Sequence, residues 1–120
     1  MIATDRVAAP SVQLPSVPAG CRPTWRVSAA LVDPAMRPWM IRALQAEGIS
    51  AAFHYVPLHS APYARQSAAI ADVDLPVTDR VGASLVRLPV SAAFTEAECD
   101  HVLTASTNVF RPLASESARA

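Results

Sequence analysis

The chain has 120 residues, enough for one domain with one small core, and its ten acidic residues balance ten basic residues, all of which are arginine. A formal net charge of zero without a basic stripe argues against nucleic-acid binding, and no apolar run reaches the length of a transmembrane helix. The start of the chain lacks the positive charge and the apolar segment of a signal peptide, so we expect a reduced, cytoplasmic protein. Hydrophobic residues make up 52% of the chain and charged residues only 17%, so we expect some apolar surface to face another domain or subunit.

The N-terminal part of the chain is rich in proline and shows no hydrophobic periodicity, so residues 1–24 are predicted to form an extended arm or linker. A first strand is predicted over residues 25–32, where apolar side chains alternate. A helix follows over residues 38–47, and Gly48 suits the left-handed position that ends many helices. The apolar stripe of this helix consists of Met40, Ile41 and Leu44.

A second strand is predicted over residues 49–56, because apolar residues alternate up to Pro57, which ends the strand. A loop with a weak helical stretch over residues 63–71 follows. A short helix is then predicted over residues 78–85, with Thr78 as its N-cap.

The C-terminal part begins with a third strand over residues 86–88. The sequence Thr95-Glu96-Ala97-Glu98 is a capping box, which predicts a last helix that ends at about Ser106. Residues 25–106 are therefore interpreted as one two-layer α+β domain, with three short strands covered by helices on one face, and residues 107–120 as a flexible tail.

The candidate functional residues lie in one segment between the second strand and the loop, Phe53-His54-Tyr55-Val56-Pro57-Leu58-His59-Ser60-Ala61-Pro62. A loop stiffened by proline can hold the side chains of His54, Tyr55 and His59 in fixed directions, where they can hydrogen-bond sugar hydroxyls or a diphosphate. The simpler alternative is that His54 is a strand residue with its hydrogen bonds satisfied and that Tyr55 belongs to the core.

Two further kinds of site are weaker hypotheses. His54 and His59 are separated by four residues and lack a nearby cysteine or carboxylate ligand, so we expect no metal site. Arg65, Arg80 and Arg87 have the planar fork that pairs with phosphate, although solvated surface charge is the simpler interpretation of each.

Four motifs occur in the order found in the small C-terminal domain of the DegT/DnrJ/StrS family of aminotransferases, which the chain resembles over residues 14–106. The first motif is a helix followed by Gly48-Ile49, a strand and His54-Tyr55-Val56-Pro57-Leu58-His59. The others are Leu75-Pro76-Val77-Thr78-Asp79, Leu88-Pro89-Val90 and Phe94-Thr95-Glu96-Ala97-Glu98. Several motifs in order are more specific than any one of them.

The resemblance implies a fold, a cofactor and a substrate class. The fold would be the small domain of a fold-type-I enzyme that depends on pyridoxal phosphate (PLP) and transfers an amino group to a nucleotide-linked 4-keto or 3-keto sugar. The His-Tyr-Val-Pro-Leu-His-Ser-x-Pro form is most similar to the branch of the family that makes a dTDP-linked 4-amino sugar, so a dTDP-sugar is the expected substrate. The loop would face the cofactor cleft, and His54, Tyr55 and His59 would bind the substrate.

Two departures from the family pattern bear on activity. Where the family has Asn-x-His in the first strand, this chain has Thr24-Trp25-Arg26, so the resemblance supplies no substrate contact there. The large domain that carries the Schiff-base lysine is missing, and arginine cannot replace lysine because its guanidinium stays protonated. We therefore expect no catalytic residue in this chain, no covalently held PLP and no activity alone. The chain would need the missing large domain on another polypeptide, or a homodimer partner.

Three hypotheses about function follow. The chain is part of a nucleotide-sugar aminotransferase, a non-catalytic module that binds a sugar nucleotide or a protein, or a decayed remnant without activity. The intact histidine- and tyrosine-bearing loop favours the first hypothesis, and the alanine-rich first strand favours the last.

Overall fold

The structure is a computed structural model that describes residues 12–66 and 73–117, with side chains up to Arg111. Its elements are β1 (Ser28–Leu31), α1 (Arg37–Ala46), β2 (Ala52–Phe53), α2 (Pro62–Arg65), α3 (Pro76–Ser84), β3 (Leu85–Leu88) and α4 (Glu96–Ser117). A single 3-10 turn, Leu58–Ser60, lies between β2 and α2. None of the helices in these ranges is both long and apolar enough to cross a membrane.

The three strands form one antiparallel sheet in the order β1-β3-β2. Ala30 of β1 and Phe53 of β2 both lie opposite Val86 of β3. The predicted α+β class and the predicted order of strands and helices are therefore confirmed. Because β3 is antiparallel to both neighbours, the last residues of β1 and β2 lie beside the first residues of β3, at the same end of the sheet. The loop that follows β2 is thus brought next to α3, which leads directly into β3.

The core lies on one face of the sheet, where α1 packs against β3 and against α4. Met40, Leu44 and Val86 are completely buried, and Phe110 is almost completely buried. The predicted stripe of α1 is confirmed, since Ile41 also packs against this cluster. Burial of such apolar side chains is the main favourable contribution to folding in a domain of this size.

Helix α1 ends in the manner that its sequence predicts. Gly48 has a φ of 79°, a left-handed conformation that side chains with a Cβ rarely adopt. The N–H of Gly48 donates to the carbonyl of Gln45, and the N–H of Ile49 donates to the carbonyl of Leu44, which together form a Schellman motif. The chain then turns so that Ile49 enters the core.

Helix α4 begins at the predicted capping box. The Thr95 hydroxyl accepts from the N–H of Glu98, while the Glu98 carboxylate accepts from the N–H and the hydroxyl of Thr95. The Thr95 backbone N–H, followed by its hydroxyl, lowers the pKa of Glu98 below its ordinary value of 4.5. The cap therefore stabilises the helix above the ordinary carboxyl pKa, and this contribution is lost as the pH falls through the lowered pKa.

The first two predicted strands are too long, whereas the third was predicted within one residue. Strand β2 contains only Ala52 and Phe53, which pair with Arg87 and Val86. Strand β3 has only four residues, too few to pair with the eight residues predicted for the second strand. On one side β3 is preceded directly by helix α3, and on the other side Pro89 has no N–H to donate. Strand β1 is likewise limited to the four residues that pair with β3.

Part of the predicted N-terminal arm is packed. Val12 is buried in the core, and Gln13 exchanges two backbone hydrogen bonds of 2.8 Å with Leu31 of β1. The interpretation of this segment as extended is consistent with the bridge, but Val12 is a core residue. Residues 1–11 lie outside the described residues.

The predicted end of the last helix at Ser106 is wrong, because α4 continues to Ser117. Ala105, Ser106, Val109 and Phe110 are buried on the same side of the helix. Val109 follows Ser106 by three residues and Ala105 by four, and Phe110 follows Ser106 by four, a spacing that marks one helical face. Polar residues between these positions hide the periodicity in the sequence. The predicted weak helix over residues 63–71 corresponds to α2, but residues 67–72 lie outside the described residues.

Replacement of Phe110 by alanine should lower the free energy of unfolding by about 3–5 kcal/mol, because a fully buried aromatic side chain would leave a cavity. Urea denaturation followed by circular dichroism measures this change. Asn108→Ala is the matched control on the exposed side of α4 and should change stability by no more than about 0.5 kcal/mol. Equal effects of the two substitutions would contradict the placement of Phe110 in the core.

Candidate functional site

The segment that follows β2 leaves the sheet and turns against α3. After Pro57 the chain forms a 3-10 turn, in which the N–H and the hydroxyl of Ser60 both donate to the Pro57 carbonyl. The N–H of Ala61 donates to the carbonyl of Leu58 at 3.2 Å. These hydrogen bonds join residues close together in the chain, so the turn has a defined shape independent of its contacts with the rest of the protein.

This segment packs against helix α3 at Gly82. A Cβ placed on Gly82 would lie 2.8 Å from Cγ of Pro57, closer than side-chain carbons approach in real structures. Glycine is thus needed here for close packing and not for an unusual backbone angle. The Gly82 carbonyl accepts a hydrogen bond from Arg37 at the start of α1, which ties α3 to the core helices.

A second contact joins the turn to α3. His59 Nε2 lies 3.0 Å from Oδ1 of Asp79, and the His59 side chain is only 12% exposed. The Asp79 side chain is 53% exposed, so solvent screens the pair and its contribution to stability is small. Its main effect is to fix the direction in which His59 points.

The other two predicted site residues lie together at the end of the sheet. The ring centroids of His54 and Tyr55 are 4.9 Å apart. Tyr55 is 77% exposed, so the alternative that it belongs to the core is wrong. The Nδ1 atom of His54 is buried and has no hydrogen-bond partner among the described residues. The guanidinium carbon of Arg87 lies 5.9 Å from the centre of the Tyr55 ring.

Two adjoining cavities, of about 340 and 390 Å³, lie between this segment and α3. Both are lined by His54, Tyr55 and Gly82, and Asp79 also lines the smaller one. Their volumes are within the range of small-molecule sites. His59 does not line either cavity. Its hydrogen-bonding partner Asp79 lines the smaller one.

Sequence reasoning missed three residues that build this site, namely Arg37, Asp79 and Gly82. Asp79 stands within the motif Leu75-Pro76-Val77-Thr78-Asp79, so the motif itself was the available signal for an acid near the loop. No sequence signal links Arg37 or Gly82 to the loop, because both contacts depend on how the elements pack. Arg65 and Arg80, two of the arginines considered for phosphate binding, are exposed.

The side chains of this site supply imidazole, phenol, carboxylate and guanidinium groups, but no amine. The sequence contains no lysine, so the chain has no side chain that can form a Schiff base with PLP. In residues 12–66 and 73–117, no group of three or more His, Cys, Asp or Glu side chains has an arrangement that could hold a metal ion.

Three solved structures of aminotransferases are similar in fold to this chain. TlmJ from Streptoalloteichus hindustanus is 21% identical, with a TM-score of 0.76 over 88% of this chain and 28% of that chain. The sugar aminotransferase CalS13 from Micromonospora echinospora is 22% identical, with a TM-score of 0.70 over 82% of this chain and 25% of that chain. PseC from Helicobacter pylori, an aminotransferase involved in the biosynthesis of pseudoaminic acid, is 16% identical, with a TM-score of 0.65 over 72% of this chain and 24% of that chain.

At these identities the structural similarity shows the fold alone, and the chain spans about a quarter of the length of these structures. The sequence matches the DegT/DnrJ/EryC1/StrS aminotransferase family over residues 8–107. The chain therefore belongs to this family, which confirms the resemblance at the level of the family. No curated protein sequence matches the chain.

Replacement of Gly82 by alanine tests how the site is held together. At an unconstrained helix position this change stabilises a protein by about 1 kcal/mol, but here the new methyl group would collide with Pro57. We expect a net loss of about 1–3 kcal/mol in the free energy of unfolding, measured by urea denaturation. The double variant Gly82→Ala/Pro57→Ala should recover part of the loss, because it removes the colliding ring carbons. A more stable Gly82→Ala protein would contradict the contact.

Proposed function

We propose that the chain supplies the loop-bearing side of the active site of a PLP-dependent aminotransferase that acts on a nucleotide-linked keto sugar. Membership of an aminotransferase family whose members generally depend on PLP supports the reaction class. CalS13 is described as a sugar aminotransferase, which supports a sugar as the acceptor. The form of the His54–Pro62 segment favours a dTDP-sugar.

The observation that carries this proposal is the pair of adjoining, open cavities lined by His54 and Tyr55 beside α3. Imidazole and phenol groups both donate and accept hydrogen bonds, so they suit the hydroxyl groups of a sugar. His59 is turned toward Asp79, and its role in the proposal is to hold the turn so that His54 and Tyr55 stay at the cavity. None of these side chains is proposed to carry out covalent chemistry.

The reaction requires an amine that this chain lacks. PLP supplies the electron sink for transamination when it is bound, and a lysine must hold it and move the proton. We therefore propose that a large domain with this lysine completes the site. The chain's own residues would bind and orient the sugar and exclude water from its side of the cleft.

Exposed apolar side chains around the cavity support a protein partner. Among the described residues, Leu58 is 86% exposed and Tyr63 is 85% exposed, and Tyr55 and Val77 are also largely exposed. Apolar side chains that cluster at one surface mark an interaction site more often than scattered ones do. The same surface favours the second candidate, a non-catalytic module that binds a protein or a sugar nucleotide.

Calorimetric titration of the chain with a dTDP-sugar should give saturable heat. A His54→Ala/His59→Ala variant should bind at least about tenfold more weakly, since it loses one hydrogen-bonding side chain and the support of the turn. His101→Ala is the matched control, because His101 lies on α4 and contacts the Glu47 carbonyl instead of the cavity. The absence of heat at millimolar ligand, or an equal loss in the control, would contradict sugar-nucleotide binding at this site.

A further inference from the structure

A third cavity, of about 260 Å³, lies where the N-terminal segment, the end of β1 and helix α3 meet. Backbone hydrogen bonds hold these parts of the chain together. Gln13 is bridged to Leu31, and the N–H of Val32 donates to the carbonyl of Ser84 at 3.0 Å. Among the described residues, Val81 is the only one that lines both this cavity and a cavity beside the loop, so the third cavity opens on another part of the surface of α3.

Two opposite charges line this cavity without pairing with each other. Asp33 and Arg80 both belong to its lining, yet no ion pair in the described ranges joins them or joins either of them to another side chain. Each charge alone would be an ordinary solvated charge on the surface. Together on one small cavity, they present a carboxylate and a guanidinium to the same ligand.

The backbone holds the Asp33 carboxylate in place. Its Oδ1 atom accepts a hydrogen bond of 2.8 Å from the N–H of Ala35, in the local turn that aspartate commonly forms. This turn does not use the second carboxylate oxygen, which can accept a hydrogen bond from a ligand. Arg80 carries a planar fork of donors, which matches the two oxygens of a carboxylate group.

The other lining residues make the cavity small and mixed in character. Ser84 is only 6% exposed, one of two buried polar residues in the part of the chain that the structure describes. Its hydroxyl and the amide group of Gln13 can each donate and accept hydrogen bonds. Leu31 and Val81 add apolar surface. The volume is slightly below that of most small-molecule sites, so the ligand must be small.

We propose that this cavity binds a small apolar α-amino acid in its zwitterionic form. Such a molecule carries a carboxylate and an ammonium group on one carbon, which matches a small cavity with two unpaired opposite charges. The carboxylate pairs with Arg80 and the ammonium with Asp33, while the side chain lies against Leu31 and Val81. Binding leaves neither charge of the protein without a partner. This inference goes beyond the proposed function and does not depend on it.

The test uses L-valine as the probe, titrated into the isotope-labelled full chain while the amide chemical shifts are recorded. We expect saturable shifts at the residues that line the cavity. Isobutylamine and isovalerate are the matched ligands, because each keeps the branched alkyl group of valine and lacks one of its two charges. Each should bind at least about fivefold more weakly, since it loses a charge-assisted hydrogen bond.

Variants of the two charged residues test the same contacts from the side of the protein. Asp33→Asn keeps an oxygen for the N–H of Ala35 and removes only the charge, so it should fold normally and bind L-valine at least about fivefold more weakly. Arg80→Gln should have an effect of similar size. The controls Asp74→Asn and Arg65→Gln remove the same charges from exposed positions outside the cavity, and they should change the affinity by less than about twofold.

The absence of saturable shifts at about 50 mM L-valine would overturn the inference. Equally tight binding of isovalerate or of isobutylamine would also overturn it, by showing a site for a single charge. Losses of equal size in the control variants would do the same. Failure of L-valine to bind would leave the proposed function standing, because the titration with a dTDP-sugar concerns cavities that share only Val81 with this one.

Discussion

The close approach of Pro57 to Gly82 determines where the candidate site lies. Because Gly82 has no side chain, the turn after β2 can lie directly on α3, and the cavity forms between them. The guanidinium of Arg37 donates a hydrogen bond to the carbonyl of Gly82, so the site is also tied to the first helix of the core. The His59–Asp79 pair adds a second attachment of the same turn. The position of His54 and Tyr55 thus depends on packing between three elements and not on the local sequence alone.

Neighbouring residues of β3 lie in opposite environments. The core face of β3 buries Val86 completely, whereas the Nε atom of the neighbouring Arg87 is buried without a hydrogen-bond partner among the residues that the structure describes. A domain of this size is only marginally stable, so a buried polar atom without a partner has an appreciable cost. Apolar residues near the loop, such as Leu58 and Tyr63, are largely exposed. Both features are consistent with the proposal that another protein completes this surface.

The sequence predicted those parts of the fold that local rules determine. The stripe of α1, the left-handed Gly48 and the Thr95–Glu98 capping box are set by residues close together in the chain. The lengths of the first two strands were wrong because a strand extends only as far as it pairs with β3, and pairing between distant segments is not visible in a local pattern. The extent of α4 was missed because polar residues interrupt its buried face. The loop motif located His54, Tyr55 and His59, but their partners Asp79 and Arg87 follow only from the antiparallel pairing and from the packing of α3.

The most direct test is the measurement of nuclear Overhauser contacts in the isotope-labelled chain. We expect a strong contact between the Hα protons of Gly82 and the ring protons of Pro57, together with contacts between the aromatic protons of His54 and Tyr55. Both contacts join groups that the structure places within a few ångströms of each other. Sharp signals from these residues without either contact would show that the turn does not lie on α3, and the cavity on which the functional proposals depend would not exist in solution.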